Sequence, residues 1–520
     1  MAREKDECYT NQSVSDVFKN VGEIGDPCHA RGLRHPMYNI LMTALLGFLC
    51  GCNSYRGIYR FFHPEDPLKR AELQRQLEVL MDLKHGVPHY STASRRVAAL
   101  DPDVLVTMTA DFMASLLPES LPEGEKHFCL DGKAIRASLN KSRAGNNFYI
   151  VNVVMAGTYL FLNQIAVGPK RQEGKVIEDN IVLLLNGQQG HCTMDAMGTK
   201  KTIVDMLCGM GCDATLPVKK NNDNLRKGIL TFLEHNVENA PELVSHIVDL
   251  NNYTEQDAPS DVIINTVTNV YEEDNRQAED GVEEVPRPLQ TLSLFDGLYG
   301  YRPFSDLEAI QAAELDKTHS QLHYVKVGDQ LVKMVSSHGR LERREVELIT
   351  DPDAVEAFLI ANNTFGGWSQ VTALGQVTRY RGEQVRDPET KKMVWNITVT
   401  RTPYITTADI GSIEYECLIR EHWNIENWHR VLDTVFLEDQ CTTRKGSAPE
   451  NLSCLRKLAA NLVVVEMAAK RPYEERFSSG LDSESHLKGF VETMATMKMN
   501  IRSLCGKLLH RIRSPYKKAQ

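Results

Sequence analysis

Three acidic residues and their neighbours set the chemistry to be explained. Asp131 stands in CLDGKAIRAS and Asp195 in TMDAMGTKKT, each where an apolar strand gives way to small, flexible residues. Acids at the tips of adjacent strands can converge on one point. Glu426 lies in HWNIENWHRVLDTVFLED (422–439), with His422, His429 and Asp433 at −4, +3 and +7 from it. Those are same-face intervals on one amphipathic helix. A solvated face would mix acids with lysine, and a buried face would be apolar; this one is neither. Three carboxylates brought together make the all-oxygen environment that hard divalent cations prefer. Two such ions about 3.5–4 Å apart can activate a nucleophile and stabilise a leaving oxygen in phosphoryl transfer. Singly, each signal is ordinary, since DGK and DAMG are common turn sequences. No Walker loop, G-x-S-x-G elbow or H-E-x-x-H occurs, which removes several competing enzyme classes.

The elements that must position these residues follow from periodicity. Residues 10–120 read as helical, with a Ser/Thr-rich helix start in PHYSTASRRVAALDP. KHFCLD, FYIVNVVMA and YLFLNQIAV then read as three successive strands. IEDNIVLLLN reads as a helix, GHCTMD as a strand ending in an acid, TKKTIVDMLCGMG as a helix and DATLPVK as a strand. That order predicts an α/β fold with a mixed sheet. The expected division is a helical domain at 1–122, the first part of the core at 123–229, an acidic insertion at 230–320, a strand-rich insertion at 321–404, helices completing the core at 405–475, and a basic tail at 476–520.

Composition fits a soluble globular protein, with 520 residues, 42% hydrophobic and 25% charged. Twelve cysteines form no CxxC pair, so reduced thiols in a cytosol are expected. The start MAREKDECYT is charged, and no signal peptide is read there. The apolar run at 37–52 is shorter than the ~20 residues of a membrane span and is expected to be a buried helix. Charge is unevenly spread. Residues 231–300 hold fifteen Asp and Glu against Arg276 and Arg287, a balance of −13, so the remainder carries +3 of the total −10. The last 23 residues hold seven Lys or Arg and no acid. A polyanionic partner is permitted.

In combination these segments resemble a known family. The chain resembles DDE transposases of the H-repeat-associated insertion-sequence group. The likeness runs from DPCHARGLRHP through LLGFLCGCNSYRGIYRF, GVPHYSTASRRVAALDP, LDGKAIRAS, TMDAMGTKKTI and LPVKKNNDNL. It continues in HGRLERREVELI and in REHWNIENWHRVLDTVFLEDQCTTRKGSAPENLSCLRKLAANLV. The resemblance implies a ribonuclease H-like core in which Asp131, Asp195 and Glu426 are the catalytic, metal-binding acids. It implies Mg2+ or Mn2+ as cofactor, two ions being expected. The strand-rich insertion then falls between Asp195 and Glu426.

Other positions follow from the same resemblance. His422 stands where related families carry Arg, and Asp433 where they often carry Lys. Lys219 matches a lysine that follows a strand, but the usual Lys-Gly-Asn reads here as Lys219, Lys220, Asn221. His338, Arg340 and Arg343 in HGRLERR suit contacts with a DNA backbone. Lys133 and Asn427 join Lys219, Asn221, His422 and Asp433 as residues expected to contact DNA or brace the metal ligands. Trp423 and Trp428 are expected in the core. The implied function is metal-dependent DNA cleavage and strand transfer at the terminal inverted repeats of a mobile element. The expected partners are those repeats and target DNA, with a homodimer or larger assembly on DNA, no membrane, and a bacterial cytosolic, nucleoid-associated location. The rivals are a transposase-derived DNA-binding protein that does not cleave, and a nuclease without strand transfer.

Overall fold

The computed structural model describes residues 8–27, 33–118, 126–138, 148–167, 173–249, 322–327, 330–337, 340–361, 368–386, 388, 391, 393–472 and 483–517, with short strand pieces at 269–272, 287–288 and 301–303. The chain opens with β1 (Tyr9–Ser13), then α1 (Val14–Gly25), α2 (Met37–Leu49), α3 (Tyr55–Phe62), α4 (Pro67–Leu77), α5 (Tyr90–Ala99) and α6 (Pro102–Ala114). Next come β2 (His127–Ile135), β3 (Phe148–Met155), β4 (Leu160–Val167), α7 (Glu173–Leu185), β5 (His191–Met194) and α8 (Lys201–Gly209). A second run holds β6 (Asp213–Pro217), α9 (Asp223–Asn239), β7 (Ser245–Asp249), β8 (Leu322–Val327), β9 (Gln330–Ser337), β10 (Arg340–Ile349), α10 (Pro352–Ala361), β11 (Ala373–Arg386) and β12 (Met393–Thr406). The chain closes with α11 (Ser412–His422), α12 (Asn424–Thr434), α13 (Ala448–Ala468), α14 (Ser483–Met499), α15 (Ile501–Leu509) and β13 (Arg511–Arg513).

These elements form two compact units, residues 1–212 with 419–520, and residues 213–418. In the first, β2, β3 and β4 are successive antiparallel neighbours, and β5 pairs parallel with β2. The helices start where capping chemistry places them. Ser13 and Asp16 close a capping box at α1. Asp66 and Asp101 cap α4 and α6, each with proline in the first turn. The apolar run expected to be a buried helix is α2, in which only Tyr38 escapes full burial. No helix among the described residues is long and apolar enough to cross a membrane.

The spine of this unit is α13. It is buried almost end to end and packs on α2, α5, α6 and β4. Two of its asparagines are matched to the backbone they meet. Asn451 donates to the carbonyls of Val97 (2.9 Å) and Leu100 (3.0 Å). Asn461 accepts from Phe161 N–H (2.9 Å) and donates to Phe161 O (2.7 Å), filling both positions of a β4 residue.

One expected boundary falls within an element. The cut at 229/230 falls inside α9, whose buried Leu225, Ile229, Leu233 and Val237 recur every four residues and carry the helix to Asn239. The remainder of the acidic insertion lies mostly outside the described residues, so its expected partial flexibility does too. The basic carboxy-terminal stretch is folded over its described part. β13 pairs antiparallel with β1, Ser514 N–H bonds Cys8 O at 2.9 Å, and the buried Tyr516 hydroxyl donates to Thr158 O at 3.0 Å. Arg511 and Arg513 are exposed, Ile512 between them is half-buried, and Ser514 and Tyr516 are buried.

The second unit is built on long antiparallel strands. β11 and β12 pair over fourteen positions from Ala373↔Thr406 to Arg386↔Met393. β10 pairs with β11 along one edge and with β7 and β9 along the other. β6 pairs with the end of β12.

Candidate active site

The register of β2 and β5 sets the site. Leu130 stands opposite Met194 in this parallel pair, so Asp131 and Asp195 are the next residue on each strand. β2 continues beside β3, whereas β5 ends, and Asp195 opens a short 3-10 turn, Ala196–Gly198. Glu173, the first residue of α7, joins them. The Tyr149 hydroxyl donates to Glu173 Oε2 at 3.0 Å. A Cβ at position 132 would collide with both the Tyr149 hydroxyl and the Glu173 carboxylate, so Gly132 makes the room they occupy. A Cβ at Gly174 would strike the Met197 carbonyl, which seats α7 against the turn after Asp195. Lys200 Nζ and Thr202 Oγ1 pin the same helix through Glu178 at 3.1 and 2.9 Å.

Electrostatics ties these acids together. Burial pushes the Asp131 carboxyl up to about 7; His422 opposes that shift, and the charges of Glu173 and Asp195 add to it. Burial also raises Glu173, with Tyr149 opposing and Asp195 adding. Such a site is short of positive charge.

The other wall is α12. His429 Nδ1 lies 3.5 Å from Asp131 Oδ2, and its Nε2 lies 3.0 Å from Asn152 Nδ2. Asn152 can only donate through that nitrogen, so Nε2 accepts and the ring proton sits on Nδ1, facing Asp131. Burial lowers His429 to about 3, so the ring is neutral. Glu426 is exposed, one turn before His429 on the same helix.

The expected single helix over 422–439 is a correction. It breaks at Trp423, where an N–H bond to Arg420 O (3.1 Å) tightens the last turn of α11 and α12 starts anew. His422 therefore ends one helix and Glu426 lies in the first turn of the next. At that break Trp423 is 48% exposed, not core, while Trp428 is 1% exposed against Phe161, Tyr159 and Phe490. His422 Nδ1 bonds Thr193 Oγ1 at 3.0 Å.

The remaining expected residues separate. Asp433 meets Lys133, whose Nζ lies 2.6 Å from Asp433 Oδ1 and 3.3 Å from both Glu438 Oε2 and Asp439 Oδ1. Lys133 is buried there and faces carboxylates, so it braces α12 and is not presented to DNA. Arg343 is likewise buried, 2.6 Å from Glu345 Oε1, which removes it as a surface contact. An alternating strand must put one of any two neighbouring cations inside, and the strand register selects Arg343. Arg340 is exposed, and His338 lies outside the described residues. Lys219 is half-buried and Asn221 exposed at the start of α9's leading turn; Asn427 is half-buried on α12.

Sequence reasoning missed Glu173, Tyr149 and Asn152, and gave His429 no role. Glu173 is hidden because an acid opening a helix is ordinary N-terminal chemistry. Asn152 did carry a signal, as a lone amide inside the apolar strand FYIVNVVM.

Among the described residues, no three His, Cys, Asp or Glu side chains are already drawn together closely enough to enclose an ion. The donor chemistry nonetheless fits a hard divalent cation. Asp131, Asp195 and Glu173 are oxygen donors that repel one another, and a cation would relieve the raised Asp131 carboxyl.

Adjacent strand-tip acids braced by an acidic helix define a class. The transposase DDE domain family matches residues 122–462, and a DDE_Tnp_1-associated domain matches residues 18–113. The chain belongs to the transposase DDE domain family. Among curated proteins it is similar to the H repeat-associated putative transposase YhhI of Escherichia coli (strain K12), 22% identical over 463 residues, which are 88% of this chain and 92% of that protein. Putative protein YbfL of the same strain is 23% identical with the same coverage. The H repeat-associated putative transposase YbfD is 24% identical over 216 residues, 41% of this chain and 80% of its own.

Proposed function

We propose that the chain is a DNA transposase with a ribonuclease H-like core, in which Asp131, Asp195 and Glu426 hold divalent metal, Mg2+ or Mn2+. The observation that carries this reading is the β2–β5 register, which sets Asp131 beside Asp195 with Asp131 raised to about 7. When bound, the metal would supply Lewis acidity for attack on a phosphodiester, first by water and then by the freed 3′ hydroxyl. The protein's own share is placement. His429, its proton set by Asn152, orients Asp131; Tyr149 holds Glu173 as a further carboxylate beside them; Lys133 fixes α12 through Asp433. Arg340, Lys219, Asn221 and Asn427 are the proposed DNA contacts, and the helices of residues 14–114 the reader of the terminal inverted repeats. Joining two element ends calls for a homodimer or larger assembly on DNA.

The test is cleavage of labelled duplex carrying the gene's own flanking DNA, with Mg2+, Mn2+ or chelator. Metal-dependent nicking at the repeat boundary, lost in Asp131→Asn and Asp195→Asn, is the expected result. Specific binding with no cutting in either metal would leave a DNA-binding protein, and cutting without joining a nuclease.

A further inference from the structure

Charge in the first unit is segregated in a way the acid site does not use. The whole chain carries −10, yet residues 27–64 hold no Asp or Glu against Arg31, Arg34, Arg56 and Arg60. Residues 83–100 hold none against Lys84, Arg95 and Arg96. The fold brings parts of these two stretches together, because α3 packs on α5. Ile58 and Phe62 bury one side of α3, and Arg96 and Val97 one side of α5. Arg96 is satisfied there by an ion pair with Asp26. Arg56 and Arg60, one turn apart on α3, are left exposed, as are Ser91 and Arg95, one turn apart on α5.

Rings set the exposed cations in place. Tyr59 stacks on His63 with centroids 5.0 Å apart and meets His89 edge-on at 4.9 Å. The Arg56 guanidinium lies over the Tyr90 ring, 5.1 Å from its centroid, so its fork is held flat before any ligand arrives. Arg95 Nε bonds the Ser91 carbonyl of its own helix at 3.3 Å. Among the described residues no carboxylate pairs with Arg56, Arg60 or Arg95. Cations just outside the patch differ: Arg75 on α4 lies 2.9 Å from Glu72, and Lys84 lies 3.1 Å from Asp82. Burial lowers the His63 imidazole, and the charges of Arg70 and His89 add to that shift. A surface that gathers cations and supplies no counter-charge is complementary to a polyanion.

We propose that the face shared by α3 and the start of α5 docks the sugar–phosphate backbone of duplex DNA through Arg56, Arg60 and Arg95. Guanidinium forks match phosphate oxygens two at a time, and cations spaced along two helices suit a continuous backbone better than a single small anion. That the polyanion is DNA rests on the transposase reading. That this face takes a polyanion rests on its own charge and exposure.

The test separates the two. Binding of the full chain to labelled duplex carrying the gene's own flanking DNA is followed by fluorescence anisotropy, in chelator, across a salt series. Arg56→Gln, Arg60→Gln and Arg95→Gln are each expected to weaken binding about tenfold and to lower the slope of log affinity against log salt by about 1, and the triple variant by about 3. Arg56→Lys keeps the charge and loses the fork, so its slope should hold while its affinity falls about threefold. Arg75→Gln removes the same charge from α4 and is expected to change neither. A triple variant that melts like the wild type and binds with wild-type affinity and slope overturns the docking face, as does a wild type that binds no duplex. Cleavage in Mg2+ or Mn2+ beside such unchanged binding leaves the transposase reading standing. Binding that depends on the three arginines, with no cleavage in any form, overturns that reading and leaves the docking face.

Discussion

Replacing Lys133 by methionine asks whether this lysine serves the fold or the ligand. Methionine keeps most of the volume and removes the charge. In the wild type the ammonium lies within 3.3 Å of three carboxylates, Asp433, Glu438 and Asp439. Glu438 measures its worth. Burial alone would raise that carboxyl, but Lys133 first, then Lys457 and Arg456, bring it from 4.5 to about 2. At about 1.4 kcal/mol per pH unit that gap is roughly 3 kcal/mol net of the burial penalty. Asp433 moves the other way, held up by burial despite the same ammonium, so Glu438 is the better gauge. Leaving a buried carboxylate short of its main partner costs about 3–5 kcal/mol. A loss of about 3 kcal/mol from the first unit is expected. Urea unfolding followed through the fluorescence of Trp428, buried in that unit, reads it.

The pH dependence has a definite sign. Glu438 is depressed in the folded state, so the wild-type advantage is full above about pH 4.5 and shrinks as pH falls toward 2. A deficit under about 1 kcal/mol at pH 7, or one that grows in acid, would refute the reasoning. Unchanged stability with weakened DNA binding would return Lys133 to the role of a phosphate contact.

Other expectations are as direct. Gly132→Ala should drive the Tyr149 hydroxyl and Glu173 carboxylate away from Asp131, and cleavage should drop at least tenfold with little change in DNA affinity by gel shift. Asp131 is raised in the folded state to about 7 from 3.8, so without metal its ionisation costs stability as pH rises through that window. Asp131→Asn should therefore be more stable than wild type by a few kcal/mol at pH 8 and equal to it near pH 4, in chelator, by thermal unfolding; equality at both would count against the raised carboxyl. Asn451→Ala strands the carbonyls of Val97 and Leu100 against α13 and should cost about 2 kcal/mol in chemical denaturation.

What the sequence made legible was local. The strands carrying Asp131 and Asp195 announce themselves as short, largely apolar runs, HFCL and HCTM, with a small residue after each acid. Convergence is not local. Whether Asp131 and Asp195 share a level depends on the register of two strands more than fifty residues apart, and Glu173 reaches them only because Gly132 has no side chain. Helical periodicity ran straight through Trp423 because a single tightened turn barely disturbs a 3.6-residue repeat, yet it places His422 and Glu426 on different helices. Arg340 and Arg343 read alike as exposed cations, and only strand pairing told them apart.

The buried helix α13 has a further meaning for how the protein is made. Residues 1–212 cannot close their core until α13 has left the ribosome, some 250 residues later in the chain. At ordinary synthesis speeds of roughly 5–20 residues per second, that is a wait of about 10–50 seconds with the apolar faces of α2 and α6 uncovered. A nascent chain in that interval exposes the apolar surface that α13 later covers. A message broken anywhere before the codons of α13 yields a first unit whose core cannot close, so the fold ties completion of that unit to nearly complete translation.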